Sequence, residues 1–121
     1  MSHITECKVE LTNEEALIAA IEYLGLESLG KKEFSLYSGQ KATGLGVSLE
    51  GWSYPVVIDC ENGKAWYDNY NGRWGQQEQL DKLVQEYSAQ VLMQQAMAAN
   101  MQMERIEEEN GDLQLIATSF A

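Results

Sequence analysis

The chain has 121 residues, of which 45% are apolar and 22% are charged, and this composition predicts one folded domain over residues 1–121. Its 19 acidic and 8 basic residues give a formal charge of −11. Because binding to phosphate groups requires Lys and Arg, this balance disfavours nucleic acids and anionic membrane surfaces as partners. No apolar run approaches the roughly 18 residues of a membrane span, and the first ten residues lack the pattern of a secretory signal. We therefore expect a cytoplasmic protein without a membrane anchor.

The first predicted elements are a strand and a helix. Residues 3–11 alternate between apolar and polar side chains, which predicts a half-buried strand. Thr12 and Glu15 have the spacing of a capping box, so a helix is expected to begin after Thr12. Apolar residues recur at helical spacing over 17–24, and Gly25 can adopt the left-handed conformation that ends a helix.

The middle of the chain predicts a series of short strands. Alternating apolar residues separated by Gly-containing turns indicate strands over 33–37, 45–50, 54–60 and 64–68. Asn62-Gly63 predicts a type I′ hairpin turn between the last two, since both central residues of that turn need positive φ.

The last third of the chain predicts a long helix and a hairpin. Apolar residues at helical spacing indicate a helix from Gln77 to about Asn100, with Asn100 as its left-handed cap. Strands over 101–107 and 113–118 are expected to pair through Asn110-Gly111. The order strand, helix, strands, long helix and hairpin favours an α+β fold, with an antiparallel sheet and both helices packed on one face.

Residues that could carry catalysis are few. The chain has one histidine, His3, and two cysteines, Cys7 and Cys60, without metal-binding spacing. Gly44-Leu45-Gly46 lacks the third glycine of a dinucleotide-binding motif. We therefore predict no catalytic residue, no metal site and no cofactor. Each cysteine is expected to be a small buried side chain, with a disulfide or a reactive thiol as the alternatives.

Aromatic residues concentrate between positions 66 and 74. Trp, Tyr and Arg dominate binding hot spots, and Asn-containing turn signals in this stretch indicate a loop. The candidate residues for binding a partner or ligand are therefore Trp66, Tyr67, Tyr70, Arg73 and Trp74. In the alternative interpretation, Trp66 and Trp74 fill the gap between the sheet and the long helix, which leaves Tyr70 and Arg73 as the surface candidates.

Several short motifs occur in the order found in a known family. They are Met-Ser-His-Ile at the start, Leu24-Gly25, Tyr37-Ser38-Gly39-Gln40, Tyr67-Asp68, Trp74-Gly75, the helix positions Leu83, Tyr87 and Ala89, and the Glu-rich hairpin leading into Leu113-Gln114-Leu115. With these motifs the chain resembles, over nearly its whole length, the family called hypothetical chloroplast reading frame 35, of cyanobacteria, red-algal plastids and some phages. The resemblance implies a soluble domain in a cyanobacterial cytoplasm, a plastid stroma or the cytoplasm of a phage host. It implies no activity, because the family's function is not established, and the stretches 45–54 and 90–103 depart from the family pattern.

Three classes of function stay open at this point. The shortage of catalytic groups and the excess of acid favour a non-enzymatic binding or regulatory module acting on a protein partner with a basic surface, for example as a phage-type inhibitor. The alternative is a domain that senses a nucleotide or metabolite, with Trp66 or Trp74 stacking on the ligand. The second alternative is a carboxylate- and metal-dependent enzyme. A homodimer, through a sheet edge or the Met-rich end of the long helix, is compatible with all three.

Overall fold

The computed structural model describes residues 4–7, 11–36, 41–68, 76–109 and 113–119, and only the backbone of residues 4–7, 68 and 119. In chain order the elements are β1 (Ile4–Cys7), α1 (Glu14–Tyr23), β2 (Glu27–Ser35), β3 (Lys41–Ser48), β4 (Val56–Asp59), β5 (Lys64–Asp68), α2 (Gln77–Ala98), β6 (Met101–Glu107) and β7 (Leu113–Ser119). This order confirms the predicted α+β class.

The strands form two antiparallel sheets. Five strands are ordered β1-β5-β4-β3-β2, whereas β6 and β7 pair only with each other among the described residues. A row of paired residues crosses the larger sheet from Lys31 through Leu45, Ile58 and Ala65 to Cys7. Since alternate residues of a strand point to opposite faces, this row marks one face of the sheet.

The main core lies between that face and the two helices, as the sequence predicts. Its buried residues include Leu17 and Ile21 of α1, Val47 and Ile58 of the sheet, and Leu83 of α2. Burying such side chains stabilises the fold by about 1.5–3 kcal/mol each. One long-range hydrogen bond also joins the helices: the backbone N–H of Asn13 donates to the Tyr87 hydroxyl at 3.0 Å.

A smaller cluster covers part of the opposite face. Phe34, Leu36, Ala42 and Val57 are buried there. A Cβ at Gly46 would overlap the tip of the Phe34 ring, so the glycine makes room for that ring against the neighbouring strand.

The N-terminus of α1 differs from the predicted capping box by one residue. Asn13 is the N-cap, and its Oδ1 accepts from the Ala16 N–H at 2.9 Å. The Asn13 side chain also donates to Gln94 Oε1 at 2.8 Å. Asn13 thus contacts α2 as well as capping α1. A capping pattern read within one helix does not indicate this second contact. The helix stop at Gly25 is confirmed, with φ of 68°.

The turn between β4 and β5 is not the predicted type I′ turn. Among the described residues, Asn100 is the one non-glycine with positive φ, so Asn62 lacks the required conformation, although Gly63 has φ of 69°. The connection is longer because β4 ends at Asp59, whose carboxylate accepts from the Glu61 N–H at 3.0 Å and from Asn62 Nδ2 at 2.6 Å. These hydrogen bonds also hold the pKa of Asp59 below its usual value. The predicted Asn110-Gly111 turn lies outside the described residues.

Other element boundaries differ modestly. The strand β2 begins at Glu27, six residues before the predicted strand at 33–37, and it includes a bulge between Ser28 and Gly30. The β5, α2 and β6 boundaries agree closely with the prediction, and Asn100 has the expected left-handed conformation, with φ of 55°.

Candidate functional site

The aromatic segment predicted to bind a partner divides between the two faces of the sheet. Tyr67 is buried in the main core, where its ring meets Trp52 edge-on with centroids 5.8 Å apart. Trp66 lies on the opposite face and is half-buried against the cluster around Phe34. The interpretation that Trp66 fills the gap beneath the long helix is therefore wrong, because strand alternation places Tyr67 on that side. The predicted residues Tyr70, Arg73 and Trp74 lie outside the described residues.

Trp52, which is not among the residues predicted to bind a partner, has a structural role in the gap between the sheet and the long helix. It is buried, and its Nε1 donates to the carbonyl oxygen of Gln76 at 3.0 Å, just before α2 begins. Its indole therefore connects the β3–β4 loop to the start of the long helix.

The groups capable of catalysis do not form a recognisable centre in the part of the chain that the structure describes. His3 lies outside it, and only the backbone of Cys7 is described. Cys60 is a half-buried free thiol whose pKa is raised by burial and by the nearby Glu14 carboxylate, so it is protonated and weakly nucleophilic at neutral pH. Within the described ranges, no three His, Cys, Asp or Glu side chains could hold a metal ion together.

The C-terminal hairpin formed by β6 and β7, which we call the hairpin surface, is only partly packed against the rest of the protein. None of its described side chains is fully buried. Ile106 and Ile116, on its outer face, are each 38% exposed, and Met97, just before the hairpin at the end of α2, is 77% exposed. Since a lone two-stranded hairpin is at best marginally stable in water, its position depends on its attachment to the rest of the protein.

That attachment is centred on an ion pair between α2 and β6. Arg105 Nη1 and Nη2 donate to the two carboxylate oxygens of Glu86 at 2.9 and 2.6 Å. Glu86 is only 4% exposed, and Gln90 Nε2 donates to it at 2.8 Å. Such bidentate, charge-assisted bonding is strong and directional, and it raises the pKa of Arg105 further above its ordinary value.

Two further side chains extend this contact to α1. The Arg105 guanidinium carbon lies 4.1 Å from the centre of the Tyr23 ring, which is a cation–π geometry. The Tyr23 hydroxyl donates to Glu107 Oε1 at 2.7 Å, and Arg105 Nη2 donates to the same oxygen at 3.2 Å. The Tyr23 hydrogen bond, followed by the charge of Arg105, lowers the pKa of Glu107. We call Tyr23, Glu86, Arg105 and Glu107 the polar latch.

The hairpin surface is acidic once the polar latch is formed. Arg105 is neutralised by Glu86, whereas Glu104, Glu108 and Glu109 are exposed and make no ion pair with another described residue. The surface thus combines exposed apolar side chains with uncompensated negative charge.

The second candidate site is a groove of about 620 Å³ between the start of α1 and the strands β2, β3 and β4. Lys31 and Cys60 line it with the buried side chains of Leu45 and Ile58 and with three acidic residues, Glu14, Asp59 and Glu61. Lys32 also borders the groove, but its ammonium lies over the Phe34 ring on the other face of the sheet, 5.3 Å from the ring centre. Lys31 forms an ion pair with Glu14 at 2.7 Å. The volume falls within the range of about 300–1,000 Å³ that is common for small-molecule sites.

Both features have signals in the sequence. Glu86 stands between the core residues Leu83 and Tyr87, and a carboxylate on a buried helix face requires a cationic partner. Arg105 is one of only two arginines in the chain. Lys31 and Lys32 form the one pair of adjacent basic residues. The predicted strand began at position 33, so the sequence did not indicate that this pair lies on a strand beside a groove.

No family model, curated protein or solved structure matches the chain. The resemblance to the hypothetical chloroplast reading frame 35 family therefore stays a prediction. No helix of the described residues is both long enough and apolar enough to cross a membrane.

Proposed function

We propose that this protein is a non-enzymatic binding or regulatory module that docks, through its hairpin surface, onto a protein partner with a basic surface. The observation that supports this proposal best is the exposure of an entire hairpin with none of its described side chains fully buried. A specific ion pair holds the two paired strands in place. The hairpin therefore presents exposed apolar side chains that are not part of the main core.

Charge supports the choice of a basic partner. The exposed carboxylates of Glu104, Glu108 and Glu109 lie beside apolar Ile106 and Ile116, so a complementary surface combines Lys or Arg with apolar side chains. A second copy of the chain is disfavoured because each copy carries a net charge of −11. The negative charges around the hairpin increase the rate of association with a cationic surface, and added salt reduces this rate enhancement.

The proposal is tested by capture and reconstitution. The purified protein is cross-linked in a lysate of its source, captured proteins are identified by mass spectrometry, and each is purified for binding measurements. We expect a protein with a basic surface whose affinity falls with salt. The double variant Glu108→Lys/Glu109→Lys should weaken binding by about tenfold or more if each charge contributes about 1 kcal/mol.

The matched control is Glu27→Lys/Glu50→Lys, which changes the net charge equally at exposed sites of the larger sheet and its loop. Its effect should be small and confined to low salt. Equal losses in the two double variants, or a partner whose binding is insensitive to salt, would contradict docking at the hairpin surface.

The groove beside Lys31 supports a second candidate function, the sensing of a small metabolite. Its volume and its apolar floor of Leu45 and Ile58 suit a small ligand, and its rim carries Lys31 together with three acidic residues, Glu14, Asp59 and Glu61. A thermal-shift screen of anionic and cationic metabolites tests it, because a ligand that binds only the folded state raises the unfolding midpoint. The shift should change in Lys31→Ala and persist in Lys41→Ala, and an unchanged shift in both variants contradicts a site in this groove.

A further inference from the structure

The exposed edges of the two sheets are built differently. The edge strand β2 carries Glu27, Lys31, Lys32 and Glu33, and its pairing with β3 is interrupted by a bulge at Gly30, where φ is 80°. Charged side chains and bulges on an edge strand prevent it from pairing with another chain. The β2 edge thus has the protection usual for an edge that must stay unpaired.

The edge formed by β7 has none of this protection. Its sequence, Leu-Gln-Leu-Ile-Ala-Thr-Ser, contains no charged residue, no glycine and no proline. Its register with β6 runs without a bulge from Leu113, opposite Glu107, to Ser119, opposite Met101. Within the described residues β7 pairs with β6 alone, so its other edge presents N–H and C=O groups along about 24 Å of regular strand.

The opposite edge of the hairpin, that of β6, is less suited to pairing. β6 carries three charged residues, Glu104, Arg105 and Glu107, and it makes most of the contacts between the hairpin and α2. Arg105 and Glu107 are moreover engaged in the polar latch. Among the three strand edges compared, β7 is therefore the one that is regular, uncharged and accessible.

We propose that β7 binds an extended segment of the partner as an additional strand of the hairpin sheet. This inference rests on the proposed function and specifies how the partner is held: backbone hydrogen bonds to the edge give affinity, and alternate side chains give specificity. Apolar residues of the segment contact Ile116 and Leu115 on the two faces of β7. Basic residues at one end of the segment meet Glu108 and Glu109.

A second copy of the chain is the competing occupant, because two β7 edges could pair with each other. Charge decides against it, since two copies with a net charge of −11 each repel one another whereas a basic segment is attracted. The occupant is therefore a segment of a basic protein, rich in β-branched residues and flanked by Lys or Arg.

The test uses the full-length protein and a synthetic probe, the acetylated and amidated peptide Lys-Lys-Val-Thr-Val-Thr-Val-Lys-Lys. Its central residues favour an extended strand, and its lysines limit self-association. Isotope-labelled protein is titrated with the peptide while amide hydrogen exchange is followed residue by residue. We expect alternate amides of β7 to become protected, since alternate residues of a strand direct their N–H groups to the same edge.

The matched control peptide has the same sequence with N-methyl groups on the five central residues. It keeps every side chain and charge, but its five central residues cannot donate hydrogen bonds to the edge, so we expect it to bind about tenfold more weakly or worse. On the protein side, Gln114→Lys in β7 should weaken binding more than Gln102→Lys in β6. Both glutamines are exposed on the outer face, and both variants change the charge equally.

Each of the following outcomes would overturn the strand-pairing inference. Equal affinity of the two peptides without protection of β7 amides means that side chains alone make the contact. Protection of the β7 amides at the unpaired edge in the absence of peptide, together with concentration-dependent dimerisation in sedimentation, means that the occupant is a second copy. Absence of peptide binding also rejects the inference. The proposed function is judged separately, by the Glu108→Lys/Glu109→Lys variant and the native partner.

Discussion

The larger sheet with its two helices and the C-terminal hairpin are stabilised in different ways. In the first region, apolar side chains from α1, α2 and three strands are buried together, and the stabilisation is distributed over many contacts. In the second, none of the described side chains is fully buried, and the attachment depends on the bonds that Arg105 makes to Glu86 and Glu107. We therefore expect the hairpin to open, or to tolerate substitution, while the rest of the fold stays intact.

The largest expected effect is in the core. Leu17 is fully buried, so Leu17→Ala should lower the free energy of unfolding by about 2–5 kcal/mol through lost burial and the cavity left behind. Urea unfolding followed by Trp fluorescence measures this change. Its neighbour on the helix, Ile18, is 43% exposed, and Ile18→Ala should have a much smaller effect. Similar losses for the two variants would show that the core is not where the structure places it.

A smaller and local effect is expected at the polar latch. Arg105→Leu leaves Glu86 buried without its cation, which should cost up to about 3 kcal/mol, and opening of the hairpin relieves part of this cost by hydrating the carboxylate. Hydrogen exchange should accelerate in β6 and β7 and change little in β4.

The control for the latch is the double variant Glu86→Leu/Arg105→Leu. It removes both charges, and replacement of a buried ion pair by apolar residues is often neutral or stabilising. The hairpin amides should regain protection. If the single and double variants behave alike, the ion pair does not hold the hairpin.

The N-cap of α1 provides a third comparison, between the capping residue in the structure and the one that the sequence suggests. Asn13→Ala removes the hydrogen bond to the Ala16 N–H and the one to Gln94, so we expect a loss of about 1 kcal/mol in unfolding free energy. Thr12→Ala should change it by less than about 0.5 kcal/mol. Thermal and urea denaturation of the two variants measure the difference. A larger loss for Thr12→Ala than for Asn13→Ala would support the predicted capping box instead.

The smallest expected effect is a dependence of the hairpin on pH. The folded-state pKa of Glu107 lies below the ordinary value of 4.5, so its ionised form stabilises the folded protein above that pH. This contribution is lost as the pH falls through the lower folded-state pKa. The protection of hairpin amides, measured relative to the intrinsic exchange rate at each pH, should therefore begin to fall in this acidic range before that of core amides does.

The cause of this pKa shift can be tested directly. Tyr23→Phe removes the hydroxyl that donates to Glu107 but keeps the ring beneath Arg105, so the pKa of Glu107 should rise towards 4.5. Carboxyl carbon NMR titration measures it. An unchanged pKa would leave Arg105 as the main cause.

Much of the fold could be predicted because its signals are local. The helical period in α2, the left-handed stops at Gly25 and Asn100, and the alternation in β5 and β6 each depend on a few neighbouring residues. The early start of β2 could not be predicted in this way. Residues 27–32 are mostly polar or charged, and they form a strand because β3 provides hydrogen-bond partners across the hairpin.

The candidate site was harder to predict than the fold. Glu86 and Arg105 are 19 residues apart in sequence, and nothing local indicates that a helix and a strand bring them together. Likewise, the aromatic density around Trp66 is visible in the sequence, but the face to which each ring points depends on strand register. The distinction between a protected and an unprotected strand edge requires the sheet order, which a single sequence does not show.

Asn100 gives the hairpin its direction relative to the rest of the molecule. The helix ends at Ala98 and β6 begins at Met101, so the reversal is completed in two residues, one of which has φ of 55°. A β-branched residue would be strained in that conformation, whereas glycine would adopt it readily. The orientation of the hairpin, and with it that of the proposed binding edge, therefore depends on one backbone position that lies outside both strands.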